Sequence, residues 1–295
     1  MNSKFRGVFT ALVTPFRDGK VDDQALIRLV HQQIEAGVHG LVPCGTTGES
    51  PTLSHAEHLH VIKTVVDAAA GRVPVLAGSG SNSTLEAIDL ARGSKERGAQ
   101  GTLQIVPYYN KPNQSGLLRH FTQIADAVDL PVILYNVPSR TVTDLLPETV
   151  AELAKHPKIR GIKEATADMH RAAQIREQCG EDFDLLSGDD FTAFSLLGLG
   201  GHGIISVISN VIPKIMAEMV NLAHARRWDE ARALHYRQLP LCRALFEQSN
   251  PIPIKAAMAM LGYCEPELRS PLDPLDPQSP AGKQLSNELK QLGVL

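Results

Sequence analysis

Pro131-Val132-Ile133-Leu134-Tyr135 and Ile159-Arg160-Gly161-Ile162-Lys163 are two short β-rich runs, and the segment between them holds a helix start at Pro147. A short apolar run, then helical periodicity, then another such run is the pattern of a βα unit with parallel strands. Pro147 suits a first helical position because its missing N–H would have no partner there. Outward from this pair the same grammar repeats. Toward the N-terminus lie runs at 8–14, 40–44, 74–77 and 102–106, and toward the C-terminus at 183–187 and 203–207. Eight is the number that closes a barrel. Ser54 with Glu57, and Ser83 with Glu86, have capping-box spacing and mark two further helix starts.

After residue 207 the strand signal stops. Helices are expected over 213–225, 228–248, 251–262 and 281–292, with prolines punctuating the chain from Pro271 to Pro280. The pattern predicts an α/β fold, a (β/α)8 TIM barrel over residues 1–225 with a C-terminal α-helical domain over 226–295. A doubly wound open sheet uses the same units. Its phosphate fingerprint is absent, since Gly78-Ser79-Gly80-Ser81-Asn82-Ser83 has serine where the third glycine belongs and no acidic residue about 20 positions on. No P-loop, H-E-x-x-H or G-x-S-x-G motif occurs either.

The 295 residues suit one barrel with an appendage, and 43% hydrophobic against 21% charged residues is an ordinary globular balance. With 29 basic and 32 acidic residues the net charge is −3, and the pI near 6.4 argues against a nucleic-acid surface. Cys44, Cys179, Cys242 and Cys264 form no C-x-x-C pair and read as reduced thiols. No run approaches the roughly 18 apolar residues of a membrane span. Pro15 and the lack of a small-residue cleavage pattern argue against a secretory signal. A cytoplasmic protein with no membrane or nucleic-acid partner is expected.

Barrel enzymes work at the carboxyl ends of their strands. The polar residues expected there are Thr46, Thr47, Tyr108, Tyr109, Tyr135, Arg140, Lys163 and Ser187-Gly188-Asp189. Lys163 is the most informative. A lysine directed into a barrel loses hydration, which favours the uncharged amine, and such an amine can form a Schiff base with a ketone. The alternatives are a pair with Glu164 or a side chain snorkelling outward. Lys255 is a competing lysine, ranked lower because it falls in the helical appendage. Tyr135 could shuttle protons with a relay partner such as Thr46, or simply end a strand with its hydroxyl on a carbonyl. Gly45-Thr46-Thr47-Gly48-Glu49 offers N–H groups and hydroxyls to a small carboxylate, or is a capped glycine turn. Arg140 could clamp a second carboxylate or stand solvated.

Taken together, Gly45-Thr46-Thr47-Gly48-Glu49-Ser50, Tyr108-Tyr109-Asn110-Lys111-Pro112, Tyr135-Asn136-Val137-Pro138-Ser139-Arg140-Thr141, Gly161-Ile162-Lys163-Glu164-Ala165-Thr166 and Ser187-Gly188-Asp189-Asp190 resemble the dihydrodipicolinate synthase family. The likeness runs from Phe9-Thr10-Ala11-Leu12-Val13-Thr14-Pro15 to Asn250-Pro251-Ile252-Pro253-Ile254-Lys255. It implies condensation of pyruvate with L-aspartate 4-semialdehyde on the way to diaminopimelate and lysine, with no metal or organic cofactor. By the resemblance, Lys163 forms the imine and Thr46 and Thr47 hold the pyruvate carboxylate. Tyr135, Thr46 and Tyr109 relay protons, Tyr109 reaching in from a neighbouring subunit. Arg140 binds the aldehyde's carboxylate, and the backbone of Gly188 and Ile205 lines the pocket. A homotetramer, a dimer of dimers, is implied too.

The resemblance also carries a site for feedback-inhibitory L-lysine at Ser50, His55, His58, Asn82, Glu86 and Tyr108, which the bland reading takes as first-turn histidines and a capping carboxylate. Three departures from the family pattern stand out. Pro51 replaces the alanine of sensitive members, and Val142 and Ala167 stand where glycine is usual. Val142 is therefore expected to bear on the second-substrate pocket. Competing readings are a related pyruvate lyase or aldolase acting on a keto-sugar acid, a non-catalytic sensor of a small acid, and a metal-dependent aldolase built on His55, His58 and His60.

Overall fold

The computed structural model describes residues 5–295. Its eight parallel strands are β1 Gly7–Ala11, β2 Gly40–Val42, β3 Leu76–Gly78, β4 Gly101–Ile105, β5 Val132–Asn136, β6 Ile159–Glu164, β7 Asp184–Ser187 and β8 Gly203–Ser206. Neighbours in sequence are neighbours in space, and β8 returns to β1 with Gly7 opposite Gly203 and Thr10 opposite Ser206. A bridge from Leu41 to Val75 joins β2 to β3, closing the ring of a (β/α)8 barrel. The run expected at 8–14 overshoots its strand. β1 ends at Ala11, and Thr14 instead turns its hydroxyl onto the Gly48 carbonyl at 2.7 Å. A small hairpin, Phe16–Arg17 against Lys20–Val21, follows. Two-residue strands are too short to show a period, and the one local sign of the hairpin is the turn pair Asp18-Gly19, with φ of 51° and 74°.

Helices Asp23–Glu35, His55–Ala69, Thr84–Glu96, Gln114–Ala127, Pro147–Ala154, Met169–Cys179, Ala193–Gly198 and Pro213–His224 follow the strands in turn. Ser54 and Glu57 form the expected capping box. Ser83 forms only half of one. Its hydroxyl takes the Glu86 N–H, while the Glu86 carboxylate turns away to His55 and Ser81. Beyond the barrel run helices Trp228–Leu245, Ile252–Met260 and Pro280–Gln291.

The strands are buried on both faces, as parallel barrel strands are. Phe9, Val42, Leu76, Leu103, Ile133 and Ile205 fill the interior. Outside, one continuous apolar cluster runs from barrel residues such as Val8 and Leu26 to Leu241, Leu245, Ile254, Leu285 and Leu289 of the last helices. Each such leucine or isoleucine contributes about 1.5–3 kcal/mol on burial.

A buried ion pair adds a polar tie across the same boundary. Lys255 is fully buried, and its Nζ donates to Glu49 Oε1 at 2.8 Å, to the Thr14 carbonyl at 2.7 Å and to the Glu267 carbonyl at 2.9 Å. Glu49 Oε2 accepts the Arg269 N–H at 3.0 Å. Burial lowers the Lys255 pKa, against the pull of Glu49. This lysine is a structural tie with all three donors engaged, which removes it from competition with Lys163.

Lys255→Met strands the Glu49 carboxylate in the interior, and removing one member of a buried pair costs about 3–5 kcal/mol. Urea unfolding should show that loss, with most of it recovered in the Lys255→Met/Glu49→Gln double variant. A second expectation concerns acid. Burial holds the pKa of His120 and of His202 down to about 4. The unfolded chain takes up these protons near pH 6.5, so stability is full above that value and falls as pH drops from about 6.5 toward 4. Urea midpoints at pH 7.5 and pH 5 should differ in that direction, and His120→Asn should narrow the gap.

Candidate active site

Tyr135 on β5 stands opposite Lys163 on β6 in the parallel ladder. Side chains alternate along a strand, and these two take the inward phase. Lys163 is 6% exposed and Tyr135 7%, and Lys163 Nζ lies 4.2 Å from the centre of the phenol ring. Glu164 takes the outward phase. Its carboxylate accepts from Arg171 Nε at 2.8 Å and from the Thr166 N–H at 2.9 Å. Alternation therefore excludes the Lys163–Glu164 pair that the sequence left open. Asn136 is the outward neighbour of Tyr135. Its Nδ2 donates to Asp144 Oδ1 at 2.9 Å and to Glu164, and its Oδ1 accepts the Leu145 N–H at 3.0 Å. Arg171 also reaches Asp144 at 3.1 Å. Behind each inward reactive group, then, the next residue is locked in one buried network.

A cavity of about 230 Å³ opens above these side chains, and Thr46, Thr47, Tyr135, Arg140, Lys163 and Gly188 all line it. Asn250 lines it as well, donating from Nδ2 to Thr47 Oγ1 at 3.0 Å and accepting at its main-chain carbonyl from Arg140 Nη2 at 2.9 Å. The sequence reading does not single out Asn250, Ser139 or Phe246 as lining. Asn250 lies in the helical C-terminal stretch, far along the chain from every strand end, where periodicity carries no information about the barrel mouth.

Two expected residues put no side chain into this cavity. The Ile205 side chain packs in the barrel interior, its expected part being that of its backbone, and Val207, just past the end of β8, lines the mouth. Tyr109 is 88% exposed on a left-handed turn (φ 74°) and does not line this cavity. Val142 and Ala167 both have φ of 62°, which is the physical reason for glycine at such positions. Val142 caps the helical turn Pro138–Thr141 and is 67% exposed. It faces outward and does not line this cavity, so its bearing on the pocket runs through the turn that carries Arg140.

A second cavity of about 390 Å³ adjoins the first, with Thr46 and Arg140 in the walls of both. Ser50, Pro51, His55, His58, Glu86 and Tyr108 line it. Glu86 is already engaged. Ser81 donates to it and His55 Nε2 lies 2.7 Å away, and these contacts hold its carboxyl below the usual range. His58 Nε2 sits 2.7 Å from the Gly78 carbonyl, and burial lowers its pKa. Asn82 stays at the edge, its Nδ2 on the Tyr108 carbonyl at 3.2 Å. His60 turns to Asp23 at 2.8 Å. The three histidines thus have three different partners and do not converge. Among the described residues no group of three or more His, Cys, Asp or Glu side chains is placed to hold a metal ion, and no helix is long and apolar enough to cross a membrane. A wider groove of about 460 Å³ beside the hairpin, lined by Arg17 and Glu265, contains none of the strand-end residues.

The sequence model of the Dihydrodipicolinate synthetase family matches residues 4–292. The chain belongs to that family. It is 52% identical over 291 residues to the 4-hydroxy-tetrahydrodipicolinate synthase of Pelobacter propionicus, covering 99% of this chain and 100% of the relative. Among solved structures of the family, the Acinetobacter baumannii dihydrodipicolinate synthase complexed with pyruvate is 44% identical with a TM-score of 0.96, covering 98% of this chain and 99% of that one. The Cyanidioschyzon merolae enzyme with lysine bound is 41% identical with a TM-score of 0.96 over the whole of both chains.

One position of this family member tests the cavity floor. A Cβ on Gly188 would stand 2.6 Å from Ala165 Cβ and 3.0 Å from Lys163 Cε. Gly188→Ala should therefore displace the lysine side chain and slow any reaction at its amine by at least about tenfold, since small misplacements of a reacting group are costly. Single-turnover kinetics on the variant check this, with the melting temperature as the control.

Proposed function

We propose that the chain is a lyase that condenses pyruvate with L-aspartate 4-semialdehyde through a Lys163 imine, the first committed step of diaminopimelate and lysine biosynthesis. The observation that carries the proposal is Lys163 itself. It is enclosed in the barrel and packed against Tyr135, and it makes no ion pair among the described residues. In this reading the amine attacks the pyruvate keto carbon and water leaves. Tyr135, relaying with Thr46 and with Tyr109 of a neighbouring subunit, removes a methyl proton to give the enamine. The enamine carbon bonds to the aldehyde carbon, and the alkoxide takes that proton back. The aldehyde's own amino group then attacks the imine carbon and expels the Lys163 amine. The iminium is the electron sink, so the chemistry requires no organic cofactor. Thr46 and Thr47 hold the pyruvate carboxylate and Arg140 takes that of the aldehyde. The main-chain groups of Gly188 and Ile205 contribute to the pocket.

The proposal extends to a homotetramer, which would give exposed Tyr109 a cavity to enter, and to residues 1–225 as the catalytic barrel with 226–295 as its helical domain. It also assigns the second cavity to L-lysine, with Ser50, His55, His58, Asn82, Glu86 and Tyr108 as its contacts. An incoming ammonium would take the place of His55 on Glu86.

Borohydride reduction in the presence of pyruvate should leave a stable adduct that maps to Lys163, and Lys163→Ala should abolish both adduct and turnover. Absence of the adduct in the unaltered protein overturns the proposal and leaves a sensor. Cleavage of a keto-sugar acid without turnover of the semialdehyde transfers it to the related aldolases. Arg140→Ala should raise the KM for the semialdehyde at least about tenfold, the usual scale for a charged hydrogen-bonding partner, while adduct formation persists.

A further inference from the structure

The carboxylate-binding loop is held from outside the barrel, at two points, by one segment. Lys255 grips Glu49, and five residues earlier Asn250 reaches Thr47. The first contact is a buried ion pair remote from the cavity. The second is in the cavity wall.

Asn250 is more than nine-tenths buried. Its Nδ2 donates to Thr47 Oγ1 at 3.0 Å, while its Oδ1 is buried without a hydrogen-bond partner among the described residues. One of the two Nδ2 protons of this amide is therefore spent on the Thr47 hydroxyl, and neither lone pair of Oδ1 is used. A buried polar atom left in that state calls for an explanation, because an apolar side chain of similar size would avoid it. The direction of the one bond supplies the explanation. A threonine hydroxyl has one proton and two lone pairs. When it accepts from Nδ2, its own proton is left free to point into the cavity. Were the amide reversed, Oδ1 would capture that proton, and Thr47 would present only a lone pair to an anion.

We infer that Asn250 is a positioning residue that acts through Thr47, orienting its hydroxyl so that the proton is donated to the carboxylate of the bound keto acid. The inference rests on the function proposed above. Asn250 does not touch the reacting atoms. Its main-chain carbonyl separately accepts from Arg140, a contact that side-chain substitution leaves in place.

A double-mutant cycle with Thr47→Val tests this. Asn250→Ala should raise the KM for pyruvate about tenfold, the scale of a hydrogen bond to a charged group. The kcat at saturating pyruvate and the KM for the semialdehyde should both stay within about threefold, since neither Lys163 nor the Arg140 contact changes. In the Thr47→Val background the same substitution should change the pyruvate KM by less than about twofold, because the hydroxyl it orients is gone. Asn250→Asp is nearly isosteric and serves if the alanine variant is unstable. Its carboxylate captures the Thr47 proton, so it should raise the pyruvate KM more than alanine does. Independent effects of the two positions overturn the inference, as does a fall in kcat and melting temperature with the pyruvate KM unmoved. Borohydride trapping on the unaltered protein is read first. Failure there removes the proposed function and this inference together, whereas trapping followed by an additive cycle removes only the inference.

Discussion

The register between β5 and β6 is the constraint on which the rest of the molecule depends. Placing Tyr135 opposite Lys163 sends both side chains inward and both of their successors, Asn136 and Glu164, outward. A slip of one residue on β6 would put a carboxylate in the barrel and an amine among the helices, and one on β5 would put an amide in the barrel and a phenol outside it. The outward network guards against this. Arg171 binds Glu164 and Asp144, and Asn136 binds both of those carboxylates, so the wrong register would leave several buried charges without partners. Polar groups on the far side of the wall thereby specify what faces the cavity.

Much of this architecture is legible in the residues. Strand runs such as 159–163 and 203–207 announce themselves by β-branched and aliphatic content, and the helix starts at Ser54 and Pro147 by capping chemistry. The strand-end rule then points to Thr46, Tyr135, Arg140 and Lys163 without any tertiary information. What stays hidden is whatever depends on long-range contact. The hairpin at Phe16–Arg17 is too short to carry a period. The Glu86 carboxylate satisfies every local rule for a capping box, yet it is recruited by His55 from the preceding helix. Asn250 sits in the break before the helix expected at 251–262 and Lys255 within that helix, where no local pattern points to the barrel, and their partners Thr47 and Glu49 are about two hundred residues away.

The left-handed residues teach a related lesson. Val142 and Ala167 stand out in the sequence as replacements for glycine, and the natural inference is a change in pocket shape. The backbone angles give a different account. Both positions lie where a Cβ is disfavoured, and Val142 turns its side chain to solvent. The consequence falls on the conformational energy of two turns, the one that carries Arg140 and the one that follows β6, and neither side chain lines the cavities.

The grip of the C-terminal segment on the Gly45–Glu49 loop has a consequence for biosynthesis. A ribosome extrudes all eight strands before it reaches Asn250, Lys255 and Arg269, so a growing chain has Lys163 well before it has the struts for Thr47 and Glu49. Until those residues emerge, the nascent barrel has a mouth whose Gly45–Glu49 lip is unbraced. The bracing of that loop therefore waits on the helical stretch that follows the barrel.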